Sequence, residues 1–250
     1  MYGRVLISSI VAIASIGITG LGGCSSSMDR QIDRSSAMKT ANPAKSLPET
    51  NKSFTIKIDR ATQQMQIIDA NSAEVIKVPI GIGRGGLKSK RDMMDYVTPT
   101  GEFVVDLILY QQESFNQVSP KLRDRYLNSE FRELFAQPQG LKELFQNMNS
   151  LDFDGNGKPD KSYGIAYIGL NAASTNSVVT GPKMRYASWQ GGANTPYWFS
   201  IALHGTPTEK TDIGAANSGG CIHVQQQVLK KLVEEGIVKI GTPVIIADSQ

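Results

Sequence analysis

At 250 residues the chain has room for one large domain or two small ones, and 40% hydrophobic with 20% charged residues suits a globular fold. A formal charge of +3, without a long basic run or aromatic–basic interleaving, argues against a nucleic-acid partner. A closed zinc site needs four ligands, and beside His204 and Cys221 only one other histidine is available, which disfavours zinc.

The N-terminus reads as a targeting segment. "MYGR" supplies one positive charge, "VLISSIVAIASIGITG" is apolar and small, and "LGGC" closes the run at Cys24. The apolar run is short for a membrane span of roughly 20 residues and fits an export signal. "LGGC" resembles the lipobox of bacterial lipoproteins. That resemblance implies a signal peptide over 1–23, cleavage before Cys24 and a lipid thioether on Cys24; an uncleaved anchor is the alternative. Ser25 after the cysteine points to the outer membrane, facing the periplasm. Residues 24–52 are rich in Ser, Ala, Lys and Pro without apolar periodicity, which predicts a flexible tether. With Cys24 lipidated, Cys221 has no partner for an intramolecular disulfide, and a thiol kept in an oxidising compartment calls for a reason.

The domain is expected over 53–250. "FTIKIDR" and "QMQIIDA" alternate apolar and polar residues around a turn and predict paired strands. "EVIKVPIGIG" continues the pattern, and "YVTPTGEFVVDLILY" gives a turn at Thr98–Gly101 and another strand. A helical insert is expected at about 110–160. Ser119 is placed to cap its first helix with Pro120 at the first position, and "LKELFQNM" predicts a second short helix. The insert serves either as packing or as a lid over a cleft.

"DFDGNGKPD" follows, with oxygens at Asp152, Asp154, Asn156 and Asp160 and a glycine at position six. This is the front half of an EF-hand-type loop and predicts calcium on those four residues. Tyr163 replaces the usual final glutamate, so a full EF-hand is not expected, and a metal-free acidic turn fits the same residues. "SYGIAYIGL", "MRYASW" and "PYWFSIALHG" predict further strands. "VQQQVLKKLVEEGI" is an amphipathic helix with Val228, Leu229, Leu232 and Val233 on one side, and "TPVIIAD" closes as a strand.

His204 ends an apolar run, and Cys221 follows "NSGG" just before the last helix. A thiolate is the useful nucleophile, and an imidazole can take its proton and hold an ion pair. Gly219 and Gly220 let the backbone turn tightly and offer N–H groups to a substrate oxygen. A buried structural cysteine beside an unrelated polar histidine is the alternative.

"HGTP" at 204–207 with "SGGCIHV" at 218–224 resembles the signature of L,D-transpeptidases of the YkuD type, and "TPTGEF" at 98–103 resembles another segment of that domain. The resemblance implies a mainly β, β-sandwich-like domain carrying the helical insert and the C-terminal helix. It implies cleavage of the bond between the third and fourth residues of a peptidoglycan stem peptide. The acyl group passes to cysteine and then to an amine, with no cofactor required. Carried over by position, Cys221 is the nucleophile and His204 the base. Gly220 and Cys221 supply oxyanion N–H groups, Gly205 orients His204 through its carbonyl, and Ser218 shapes the cysteine loop.

Two positions depart from the family pattern. Gly219 stands where many members have histidine, and His223 stands where many have arginine or asparagine. His223 is expected either to contact substrate or to serve structure. Arg185, Lys183 and Arg84 are candidates for stem-peptide carboxylates, and each also reads as a solvated charge. Water in place of the amine would make the same acyl-enzyme a carboxypeptidase or a hydrolase of wall-attached protein. A tethered, inactive wall-binding module is the reading from another class.

Overall fold

Alternation of apolar residues decides the first elements. The computed structural model describes residues 53–91, 95–128, 131–173 and 201–249. In it Phe54–Asp59 (β1) and Gln64–Asp69 (β2) pair antiparallel. Ile56, Ile58, Met65 and Ile67 are buried, one residue in two, as a strand with one face in the core requires. Glu74–Pro79 (β3) adds to β2 as the sheet's outer strand. The run "EVIKVPIGIG" then breaks. Ile82–Gly83 (β4) leaves the large sheet and pairs instead with Ala216–Ser218 (β9) in a two-stranded sheet.

Gly101–Tyr110 (β5) is the longest strand, and Gln117–Val118 (β6) pairs with it. Ala166–Ala172 (β7) is buried at all seven positions, so both of its faces are covered. Ala202–His204 (β8), Ile222–His223 (β10) and Pro243–Ala247 (β11) complete a nine-stranded mixed sheet. Its order is β10-β8-β7-β5-β11-β1-β2-β3. The final strand therefore lies mid-sheet, parallel to β1 and antiparallel to β5.

Between β6 and β7 lie Pro120–Tyr126 (α1), Arg132–Ala136 (α2) and Pro138–Asn149 (α3). The Ser119 hydroxyl accepts the Leu122 N–H at 3.1 Å, capping α1. Tyr126 stacks flat on Phe135 with ring centroids 4.3 Å apart. The third helix starts at Pro138, three residues ahead of the stretch "LKELFQNM", because proline suits a first helical turn. Gly140 permits this: a Cβ there would lie 2.8 Å from the Leu134 Cα of α2. Leu141, Leu144, Phe145 and Met148 bury the inner face of α3.

Glu209–Asp212 (α4) is one short turn after β8. Gln226–Glu234 (α5) buries Leu229, Leu232 and Val233, while Val228 is partly buried. Each such side chain contributes about 1.5–3 kcal/mol on burial. Gly236 ends the helix with φ 66°. The architecture is thus mainly β with a helical insert and a C-terminal helix, as the family resemblance implies. No described helix is long and apolar enough to cross a membrane. The expected signal peptide, the tether, Cys24, the strand "MRYASW", Lys183 and Arg185 lie outside the described residues.

Candidate active site

The sheet order places β8 and β10 side by side, and their register carries the chemistry. Ile222 pairs with Leu203 and His223 with His204 in a parallel ladder. Alternate residues of a strand share a face. Cys221, one residue before Ile222, therefore falls level with Ala202, on the face that holds His204 and His223. A hydrogen bond between the Cys221 sulfur and the Ala202 backbone agrees with this level. The two imidazole rings meet with centroids 5.0 Å apart. The register of β8 and β10 relates Cys221 to His204.

His204 is buried, and its Nδ1 lies 2.6 Å from the Gly205 carbonyl oxygen. A carbonyl can only accept, so Nδ1 carries the proton and Nε2 keeps its lone pair. The ring is held between two tyrosines: Tyr163 meets it edge-on at 5.0 Å and Tyr167 lies nearly parallel at 6.2 Å. Burial, with help from His223, pushes the His204 pKa down to about 3, against the Gly205 bond and Asp212. Burial pushes the Cys221 thiol up to about 11, and the Ala202 bond and Lys90 offset only part of that. The resting pair is a neutral thiol beside a neutral imidazole. Burial opposes an ion pair between them, because both charged forms would lose their hydration. The phenols of Tyr163 and Tyr167 are raised by burial first and by the nearby Cys221 second.

The loop under Cys221 is built from hydrogen bonds. Gly220 takes φ +127°, and a Cβ there would stand 3.2 Å from the Val97 carbonyl oxygen. The Ser218 hydroxyl accepts the Gly220 N–H at 3.0 Å and donates to the Cys221 carbonyl at 2.6 Å. The Thr98 hydroxyl donates to the Gly220 carbonyl and accepts the Gly83 N–H, both at 2.9 Å. The Gly220 N–H, expected from the sequence to face a substrate oxygen, is thus engaged by Ser218. Gly219 is exposed with open space where a side chain would go, so the histidine many family members carry there would fit.

Two buried cations brace this loop from below. Lys90 Nζ bonds Asp95 at 2.8 Å and the Val97 carbonyl at 2.9 Å. Arg60 donates to the Thr98 carbonyl at 2.5 Å and grips both carboxylate oxygens of Asp248. Neither residue carried a local signal in the sequence. Arg84 is exposed and stacks on the Tyr96 ring at 3.5 Å.

Asp212 is a further residue that sequence reading passes over, although it sits inside the motif's spacer. Its carboxylate accepts from the hydroxyls of Thr206 and Thr208 and from the Asn217 amide. Burial alone would raise its pKa, but these donors hold it below the usual carboxylate range. His223 Nδ1 is buried without a hydrogen bond, 3.9 Å from an Asp212 oxygen. Burial lowers the His223 pKa, and Asp212 opposes the shift.

The acidic loop stands apart from this group. Carboxylate oxygens of Asp152, Asp154 and Asp160 lie within 4.8 Å of one another, so the loop could hold a cation. Its own backbone already donates to these oxygens: Gly155 and Gly157 to Asp152 at 2.7 Å, and Phe153 to Asp160 at 2.6 Å. Asn156 accepts the Lys158 N–H at 2.9 Å. The helical insert shapes a cleft of about 310 Å³ with Pro120, Arg123, Phe135, Leu141 and Ile240, and neither Cys221 nor His204 lines it.

Comparison with known proteins adds the family. No curated protein matches the chain. Solved structures do. Bd1075 of Bdellovibrio bacteriovorus is 19% identical, with 81% of this chain and 51% of that one aligned at a TM-score of 0.40. An L,D-transpeptidase of Xylanimonas cellulosilytica is 13% identical, covering 80% and 63% at 0.38. The catalytic domain of the E. faecium L,D-transpeptidase is 16% identical, covering 78% and 96% at 0.35. The chain therefore spans less than two thirds of the first two structures it resembles. The L,D-transpeptidase catalytic domain, YkuD, matches residues 53–246. With most of its length matched, the chain belongs to the YkuD family of L,D-transpeptidase catalytic domains.

Proposed function

We propose that the protein is a cysteine-dependent L,D-transpeptidase of the cell wall, with Cys221 as nucleophile and His204 as base. The observation that carries this reading is the β8–β10 register, which sets both side chains on one face of the sheet. His204 Nε2 takes the thiol proton as sulfur attacks the stem-peptide carbonyl, since neither group is charged at rest. The C–N bond breaks, the C–S bond of the thioester remains, and the proton leaves on the departing amine. A second amine then attacks the thioester, and its proton returns through His204 to the sulfur. Stabilising the tetrahedral oxygen through the Gly220 N–H requires Ser218 to yield its bond to that group.

In this reading the substrate is a peptidoglycan stem peptide, with Arg84, Lys183 and Arg185 as candidates to bind its carboxylates and His223 as a candidate substrate contact. The domain hangs from the outer membrane, facing the periplasm, by a lipid on Cys24 and the tether 24–52. Calcium on Asp152, Asp154, Asn156 and Asp160 would be structural only and would supply no step of the reaction. Titration calorimetry without calcium heat removes that proposal.

Purified muropeptides incubated with the protein and with Cys221→Ala test the function. Dimeric products that need Cys221 establish transfer. Trimmed monomers that need Cys221 establish hydrolysis through the same acyl-enzyme. Products independent of Cys221, or none, overturn the reading and favour a binding module. A carbapenem should add covalently at Cys221, and intact mass without an adduct on folded protein counts equally against it.

A further inference from the structure

We propose that Asn149, the last residue of α3, is a positioning residue through which the helical insert sets the ring of His204. The proposal rests on the acyl-transfer reading for the role of His204, but its geometry stands by itself. The Asn149 amide uses both ends. Its Oδ1 accepts the Tyr163 N–H at 3.0 Å, and its Nδ2 donates to the Gly164 carbonyl at 3.0 Å. These bonds hold the turn where Gly164 takes φ +60°.

That turn is pressed directly onto the histidine's neighbour. The Tyr163 carbonyl accepts the Gly205 N–H at 3.1 Å. The two glycines touch backbone to backbone: a Cβ on Gly164 would lie 2.9 Å from the Gly205 Cα. Gly205 in turn fixes the imidazole through its carbonyl, 2.6 Å from Nδ1. The Tyr163 ring closes on the same imidazole from the side, at 5.0 Å. Two routes, one through backbone and one through an aromatic ring, thus run from a single amide to His204.

Asparagine is the side chain this position calls for. The turn presents one N–H and one C=O, so it needs an acceptor and a donor on one short planar group. Aspartate supplies only the acceptor, leucine neither, and glutamine is one methylene longer. The anchor behind Asn149 is firm, because Leu141, Leu144, Phe145 and Met148 fix α3. The role of the insert is then to hold the base rather than only to cover a cleft.

The chain has two histidines, so nitrogen-15 labelling of histidine in the full-length protein gives two ring systems. In the native protein His204 should be protonated on Nδ1. In Asn149→Leu its nitrogen shifts should move toward a tautomer mixture, while those of His223 stay in place. Acylation of Cys221 by a carbapenem should slow by roughly tenfold or more, as small displacements of reacting groups do, and its pH profile should shift. Asn149→Asp keeps the bond to Tyr163 and should fall between the two. A folded Asn149→Leu protein with native His204 nitrogen shifts and a native acylation profile overturns the proposal. If Asn149→Leu does not fold, native nitrogen shifts in Asn149→Asp overturn it instead. Failure of the native protein to acylate sinks the acyl-transfer reading, and the nitrogen shifts then decide this one alone.

Discussion

Replacing Thr98 by valine tests how the cysteine loop is held. Thr98 is fully buried, and its hydroxyl bonds both Gly83 and Gly220. Valine keeps the shape and removes the hydroxyl. The Gly83 N–H and the Gly220 carbonyl then lose the Thr98 bonds in a buried region. A buried backbone group stranded in this way costs about 1–3 kcal/mol, so the pair costs about 2–6 kcal/mol. For a domain of this size that lowers Tm by roughly 5–20 °C. Thr98→Ser is the control. It keeps both bonds and loses one methyl, worth about 1 kcal/mol. Calorimetry of both variants measures stability, and carbapenem acylation of Cys221 measures the loop. Valine should be the worse change on both scales. A Thr98→Val protein no less stable than Thr98→Ser, and acylated as fast, refutes the argument that this hydroxyl supports Gly220.

Three further outcomes follow from the buried titrating groups. Burial raises the Asp106 carboxyl to about 7, against the Asn171 bond and Arg125, while in the unfolded chain it titrates near 3.8. The folded form keeps a proton that the unfolded form loses, so stability falls as pH rises through that window. Asp106→Asn should remove this loss, seen as a urea midpoint that exceeds the native one at pH 8 by more than at pH 5; parallel midpoints contradict it. His204 behaves in the opposite sense: its folded pKa of about 3 lies below its ordinary value of 6.5. Acidification through that range protonates the unfolded chain first and destabilises the fold. His204→Gln should flatten this decline, and an unchanged acid slope would show that the imidazole is not buried neutral. Iodoacetamide labelling of Cys221 should keep accelerating from pH 7 to pH 9, since the thiol titrates near 11; a plateau near neutral pH would show an ion pair at rest.

Elements with several turns or alternations of pattern were plain in the sequence. The β1–β2 pair and α5 follow from period-two and helical spacing, and their buried residues are those the pattern selects. The short pieces around the site were not. The strands β9 and β10 have three and two residues, too few for any periodicity to register. They exist because β9 pairs with β4 and β10 with β8, contacts between distant segments. Charge was misleading for a related reason. Arg60 and Lys90 look like surface cations until the fold encloses them among carbonyls and carboxylates. Asp212 was hidden among ordinary polar residues, because its hydroxyl and amide donors gather only in the folded segment. The His204 and Cys221 motif was legible as a family signature, but the neutral state of both groups came from burial, which sequence spacing does not encode.

The position of β11 bears on how the sheet assembles. Residues 243–247 fill the gap between β1 and β5, and Asp248 then locks Arg60. Without them, the hairpin that starts the domain has one edge bare and β5 has no neighbour on that side. Pairing across this much chain is slow to form. Removing residues 243–250 would therefore split the sheet rather than trim it.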